Sequence, residues 1–235
     1  MGYVAVDARR GRVIFASQPQ WTKEMSYNNV ELMTVPLNSS KAKTATPLVS
    51  PKQAKQLLAK CAGSGGPHGC SQMSQFSPAA GASGVLFALR FWGPPPMGYA
   101  VGNQAIAIVR DDGTAAALTW RGTYDAQFTL DLCPRFVPGT DERTVLFVRS
   151  VDSGVSSTST LCLLDVKTLE ITKLSKVPFV ASKTGCPHFL DDGTAGSGAT
   201  FIYISSSDQD APPSPSATDQ RSALRKGTLL AAGKK

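Results

Sequence analysis

Cys61, His68 and Cys70 form a Cys-x6-His-x-Cys cluster in glycine-rich sequence. Thiolates and an imidazole are donors that zinc prefers, and a flexible loop can bring three of them together. The spacing fits no common zinc template and a fourth ligand is missing, so an exposed loop with ordinary thiols accounts for the same residues. No metal and no cofactor are expected. Gly63-Ser64-Gly65-Gly66 follows a helix candidate, whereas a phosphate cradle precedes one so that amides at the helix N-terminus meet the anion. A serine nucleophile elbow needs Gly-x-Ser-x-Gly. The Gly63–Gly66 run, Gly81-Ala82-Ser83-Gly84 and Gly196-Ser197-Gly198 all have the wrong spacing. His68 and His188 are the two histidines, and a base alone makes no triad. No catalytic residue is assigned. Asp111-Asp112-Gly113 and Asp191-Asp192-Gly193 read as turns, too poor in oxygen ligands for calcium.

Two further groups could bind rather than react. Cys133 and Arg135 lie three and one residues before Phe136, as Cys186 and His188 do before Phe189. Positions two apart share a face of a strand. If such strands border a central channel, Arg135 and His188, with Gln75 in an equivalent unit, present polar groups to a peptide or acidic ligand. Packing between neighbouring sheets, with the polar tips satisfied locally, is the competing reading. The excursion Phe91 to Asn103 holds Phe91, Trp92, Tyr99 and three prolines. Aromatic, proline-rich loops on a rigid scaffold suit partner contact, and folding back onto their own sheet is the alternative.

These residues are positioned by a repeat. Val13–Ser17, Val85–Leu89, Val145–Arg149 and Phe201–Ser205 are short strands of one kind. Val4, Phe76 and Phe136 each lie eleven residues before Phe15, Phe87 and Phe147. Third strands follow at Val30–Leu37, Gln104–Val109 and Thr160–Val166, and fourth strands at Pro47–Ser50, Ala117–Trp120 and Thr172–Ser175, across turns such as Asp111-Asp112-Gly113. The unit is four antiparallel strands, the size of a propeller blade. The expected fold is all-β: a partial β-propeller of about three and a half blades, at about 3–50, 72–120 and 130–175 with a half blade at 185–207. The second strands are apolar on both faces, which suits a blade flanked on each side rather than a half-solvated sandwich strand. One helix is inserted at 51–61, with Ser50 as cap and Pro51 at its first position. Residues 208–235 contain no aromatic and open on Pro212-Pro213-Ser214-Pro215-Ser216, a composition that predicts a disordered tail.

Net charge is +7, from 24 basic and 17 acidic residues. The basic residues gather at both ends, as Arg9, Arg10 and Arg12 and as Arg221, Arg225, Lys226, Lys234 and Lys235, without interleaved aromatics. That pattern argues against a nucleic-acid partner. No apolar run approaches the ~18 residues of a membrane helix, so no membrane partner is expected. Asp7, Arg9 and Arg10 with no apolar stretch behind them predict no secretory signal. Five cysteines in such a chain predict reduced thiols and a cytoplasmic location.

Thr160-Leu161-Cys162-Leu163-Leu164-Asp165-Val166-Lys167-Thr168-Leu169-Glu170, closing on Lys173-Leu174-Ser175, resembles the repeat of TolB-type (WD40-like) β-propellers. Val85-Leu86-Phe87, Phe91-Trp92-Gly93-Pro94-Pro95, Gly98, Asn103-Gln104-Ala105-Ile106 and Leu118-Thr119 look like a blade of the acylaminoacyl peptidases, in the prolyl oligopeptidase family. Those blades carry an aromatic, proline-containing excursion that ends in Asn-Arg, where Gln104 stands here. Cys133-Pro134-Arg135-Phe136 and Gly185-Cys186-Pro187-His188-Phe189 continue the likeness, which covers roughly residues 1–207. In that family a propeller caps an α/β-hydrolase domain with a Ser-Asp-His triad and limits substrates to small peptides. Nothing in this chain matches the triad. The resemblance therefore implies a non-catalytic propeller module that gates substrate or binds peptides and proteins. Its partners would be a peptide or protein, a hydrolase domain or further blades. The alternative is a piece of an active serine peptidase whose catalytic domain lies outside this chain. An unclosed array leaves strand edges and apolar blade faces bare, so self-association is expected.

Overall fold

The computed structural model describes residues 4–17, 30–38, 45–62, 72–92, 100–120, 128–152, 157–174, 186–190, 198–206 and 222–229. The chain divides into two compact units, Met1–Pro134 and Arg135–Lys235. Almost every element is a strand, and the sheets are open.

In the first unit, β1 (Val4–Asp7), β2 (Arg12–Ser17), β3 (Glu31–Pro36) and β4 (Thr46–Pro47) form one antiparallel sheet in chain order. After the helix α1 (Pro51–Ala62), β5 (Gln72–Ala80), β6 (Gly84–Trp92), β7 (Ala100–Arg110) and β8 (Ala115–Ala117) repeat the pattern. Ser50 and Gln53 cap the helix reciprocally: Gln53 N donates to Ser50 Oγ at 3.3 Å and Ser50 N to Gln53 Oε1 at 2.9 Å. β9 (Phe128–Phe136), which leads into the second unit, is joined to β7 by a parallel bridge between Leu130 and Gln104. The second unit holds β10 (Thr144–Asp152), β11 (Ser157–Asp165) and β12 (Ile171–Lys173), again antiparallel in chain order. A separate sheet follows, of β13 (His188–Phe189), β14 (Ala199–Ser206) and β15 (Ser222–Leu229).

The expected second strands and helix occur as β2, β6, β10, β14 and α1, with two corrections to the expected chain. Phe76 lies opposite Ala88, and a bulge with Ser77 at φ 50° intervenes before Ala79 pairs with Leu86. First, the segment expected to be a disordered tail contributes β15, which pairs with β14 from Ser222↔Ser206 to Leu229↔Ala199. The last sheet therefore has three strands. Gly227 is needed in β15: a Cβ there would lie 2.5 Å from the Phe201 ring. Second, Cys61, Cys133 and Cys186 are disulfide-bonded, and the buried Cys162 thiol donates to Thr160 O at 3.8 Å. The expected pool of reduced thiols is corrected, and with it goes the basis for a cytosolic location. Cys61 is thereby also removed as a thiolate for zinc; His68 and Cys70 lie outside the described residues.

The core of the first unit lies between its two sheets. Ile14 and Leu32 from the first meet Val85, Phe87 and Leu89 from the second, and Leu57 of α1 closes one side. Val85 to Leu89 are all fully buried, so both faces of β6 are covered, as are both faces of β10 from Val145 to Val148. At the turn end of the two sheets sits a charge cluster. The Asp7 carboxylate, 1 % exposed, takes bonds from Arg12 Nε at 2.8 Å and Arg10 Nη1 at 3.0 Å. Arg10 then reaches across to the second sheet, donating to Gly81 O, Ala82 O and both oxygens of Asp111. One guanidinium ties three turns together.

Burial by itself would raise the Asp7 pKa, but bonds from Arg12 and Arg10 outweigh it and hold the carboxyl below the ordinary aspartate value. The Arg10 bond does the same for Asp111. Both depressed pKa values mean stability that is present above pH ~4 and lost as pH falls further. Asp7→Ala should cost about 2 kcal/mol at neutral pH, because it removes the buried acceptor shared by the half-buried Arg10 and Arg12. Urea titrations of wild type and variant from pH 7 to pH 3 check this: the gap should narrow in acid, and a constant gap would refute the ionic origin.

Candidate functional site

In each sheet the first strand begins, and the second strand ends, at the same end. The connections there run over residues 18–30, 93–99, 153–156 and 207–221, and the links between sheets arrive there too. The opposite end carries short turns, such as 8–11, 81–83 and 111–114. Loops that can carry binding groups therefore gather at one end of every sheet, on a floor of strand residues.

In the first unit that floor is a polar row. Ser74, Arg90 and Gln104 are opposite one another on β5, β6 and β7 and share a face. Ser74 and Gln104 are buried, and burial pushes the Arg90 pKa down. Gln75 points to the other face and joins the sheets: its backbone N donates to Val30 O at 2.8 Å, and its side-chain Oε1 accepts from Leu32 N at 3.3 Å. A buried Gln75 with its carbonyl oxygen engaged is a structural link, which corrects the expectation that it faces a ligand. Phe91 is corrected likewise. It is fully buried and meets Trp120 edge-on, with ring centroids 4.9 Å apart. Trp92 ends β6 opposite Gln72 and Ala100; Tyr99 lies outside the described residues. The Trp120 Nε1 is buried without a hydrogen-bond acceptor, beside Phe91 at the root of the aromatic excursion.

In the second unit Arg135 and His188 come within electrostatic reach of each other. Arg135 is half-buried and burial lowers its pKa. His188, at the surface on β13 opposite Ile202, is pushed below the ordinary histidine value by burial of its ring and then by the Arg135 charge. A neutral imidazole beside a partly desolvated guanidinium is a donor set for an anion such as a carboxylate. The matched offsets of the two residues from Phe136 and Phe189 singled them out in the sequence without pairing them with each other. Sequence reasoning missed Arg149, nearly fully buried within β10, with its guanidinium carbon 5.4 Å from the Phe147 ring centroid. An arginine at the end of an apolar run reads as a strand terminus, and nothing in the sequence tells it from one.

No protein-family profile matches the sequence, and no curated protein matches it. Among solved structures, TolB from Acinetobacter baumannii is similar at TM-score 0.40 and 11% identity, over 87% of this chain and 40% of that one. Puromycin hydrolase gives TM-score 0.41 at 11% identity, over 88% of this chain and 25% of that one. The chain thus spans less than half the length of either. Likenesses of this degree do not decide fold or function.

The coupling of the two residues has a direct readout. The His188 titration midpoint, followed by NMR, should lie below the ~6.5 of a free histidine. Arg135→Gln should raise it while Arg135→Lys keeps it low, and a midpoint that ignores both substitutions would separate the pair.

Proposed function

We propose that the chain is a non-catalytic array of propeller blades that binds peptide or protein segments at the loop-bearing end of its sheets. The observation that carries this reading is the electrostatic interaction of the half-buried Arg135 with His188, which is exposed on β13. Such a pair suits a carboxylate, from a peptide C-terminus or an acidic side chain. The blade reading is supported by β6 and β10, whose two faces are both buried, as strands between flanking sheets require. The resemblance to acylaminoacyl-peptidase blades supports a gating role beside a hydrolase domain outside this chain. Within the described residues no serine nucleophile is paired with a histidine. Three disulfide-bonded cysteines favour an oxidising compartment over the cytoplasm.

Isothermal titration with short peptides tests the binding role. A peptide with a free C-terminal carboxylate should bind, and Arg135→Gln should weaken it about tenfold, the worth of a charge-assisted bond. Equal affinity for the C-terminally amidated peptide and for one lacking acidic residues would refute it. A fluorophosphonate probe should leave the chain unlabelled, whereas stoichiometric labelling would make it a serine hydrolase. In a peptide mass map after alkylation without reductant, Cys61, Cys133 and Cys186 should remain unmodified; alkylated forms would return the chain to the reducing cytosol.

A further inference from the structure

We propose that the outer face of the first sheet docks a second copy of this chain, head to tail, through the outer face of its last sheet. The inference rests on the blade reading above. On β1, β2 and β3 the residues Val4, Val6, Val13, Phe15, Met33 and Val35 share one face, by the pairings Val4↔Phe15↔Met33 and Val6↔Val13↔Val35. None is buried, and Val4 and Val6 are 64% and 60% exposed. The opposite face, with Ile14 and Leu32, is fully buried against the second sheet.

The chain itself shows what covers a face of this kind. Phe15 of the first sheet corresponds in the repeat to Phe87 of the second. Phe87, with Val85 and Leu89, is buried against Ile14 and Leu32 of the preceding sheet. A phenylalanine face is thus covered by the isoleucine face of another blade. An uncovered isoleucine face exists on the last sheet. Ile202 of β14, the equivalent of Ile14, shares its side with Leu190 and Leu224, which are 57% and 69% exposed.

Charge selects the orientation. The charged residue on the first face is Glu31, in line with Met33 and Val35 and exposed. On the last face it is Lys226, opposite Ile202, with His188 in the same row. Head-to-tail docking brings Glu31 to a basic face. Head-to-head docking sets Glu31 against its own copy, and tail-to-tail docking does the same to Lys226.

Light scattering after size exclusion, on the full chain without reductant, tests this at up to about 100 μM, a range that captures weak interfaces. Wild type should elute as a dimer. Val6→Glu and Leu224→Glu, both at exposed positions, should each elute as monomers. Mixed one to one, the two variants should restore a dimer, because each retains the face the other lacks; this recovery also shows that both fold. A monomeric wild type, or a Leu224→Glu protein that stays dimeric, would overturn the proposal. A wild-type monomer that still binds the carboxylate peptide would overturn the docking alone and leave the binding role standing.

Discussion

A strand that is apolar on both faces must be covered twice, and this requirement governs the molecule. Val85 to Leu89 and Val145 to Val148 leave no polar side to turn toward water. A single sheet cannot satisfy them, since each sheet covers one face of its neighbour. The chain responds by repeating the same four-stranded unit, and in the first unit the stacking is visible as Ile14 and Leu32 against Val85, Phe87 and Leu89. At roughly 25 cal/mol for each Å² of apolar surface removed from water, such seams outweigh any single polar contact. Apolar contact has little directionality, however, and does not set the alignment of two sheets.

That alignment falls to polar groups at the two ends of the seam. At the turn end, Arg10 bridges Asp7, Gly81, Ala82 and Asp111, so a slip of one sheet along the other would break several charge-assisted bonds at once. At the loop end, Gln75 and Ser74 hold the start of β3 through Val30 and Leu32. Both sets act across long sequence separations. Their joint effect is to fix the alignment of the first two sheets at both ends of the seam.

The strands, their order and the helix were legible because they rest on local chemistry: periodic apolar residues, Asp-Asp-Gly turns, and Ser50 followed three residues later by Gln53. Features that depend on distant partners were not legible. Gln75 reads as a polar strand residue whether it faces a ligand or Leu32 N. Phe91 reads as a loop aromatic until Trp120, far along the chain, is seen to cover it. The bulge at Ser77 has no glycine to announce it. β15 was hidden by composition, for Leu224-Arg225-Lys226 looks like tail sequence until β14 supplies its hydrogen-bond partners. The cysteines were misjudged because oxidation state was inferred from the chain's ends and not from proximity in space. Of the candidate site, matched offsets singled out Arg135 and His188 but not their electrostatic interaction with each other, and the buried arginine at 149 gave no signal.

The seat of Gly227 beneath the Phe201 ring carries a consequence of its own. Phe201 also meets Phe189 and Tyr203, with centroids 5.9 and 5.8 Å away, so the aromatic cluster cannot easily retreat. One added methyl at 227 would wedge the outermost ribbon away from its neighbour while leaving every other sheet untouched. The rim of the molecule would then pass to β14, whose backbone amides and carbonyls would be bared for the next chain to pair with.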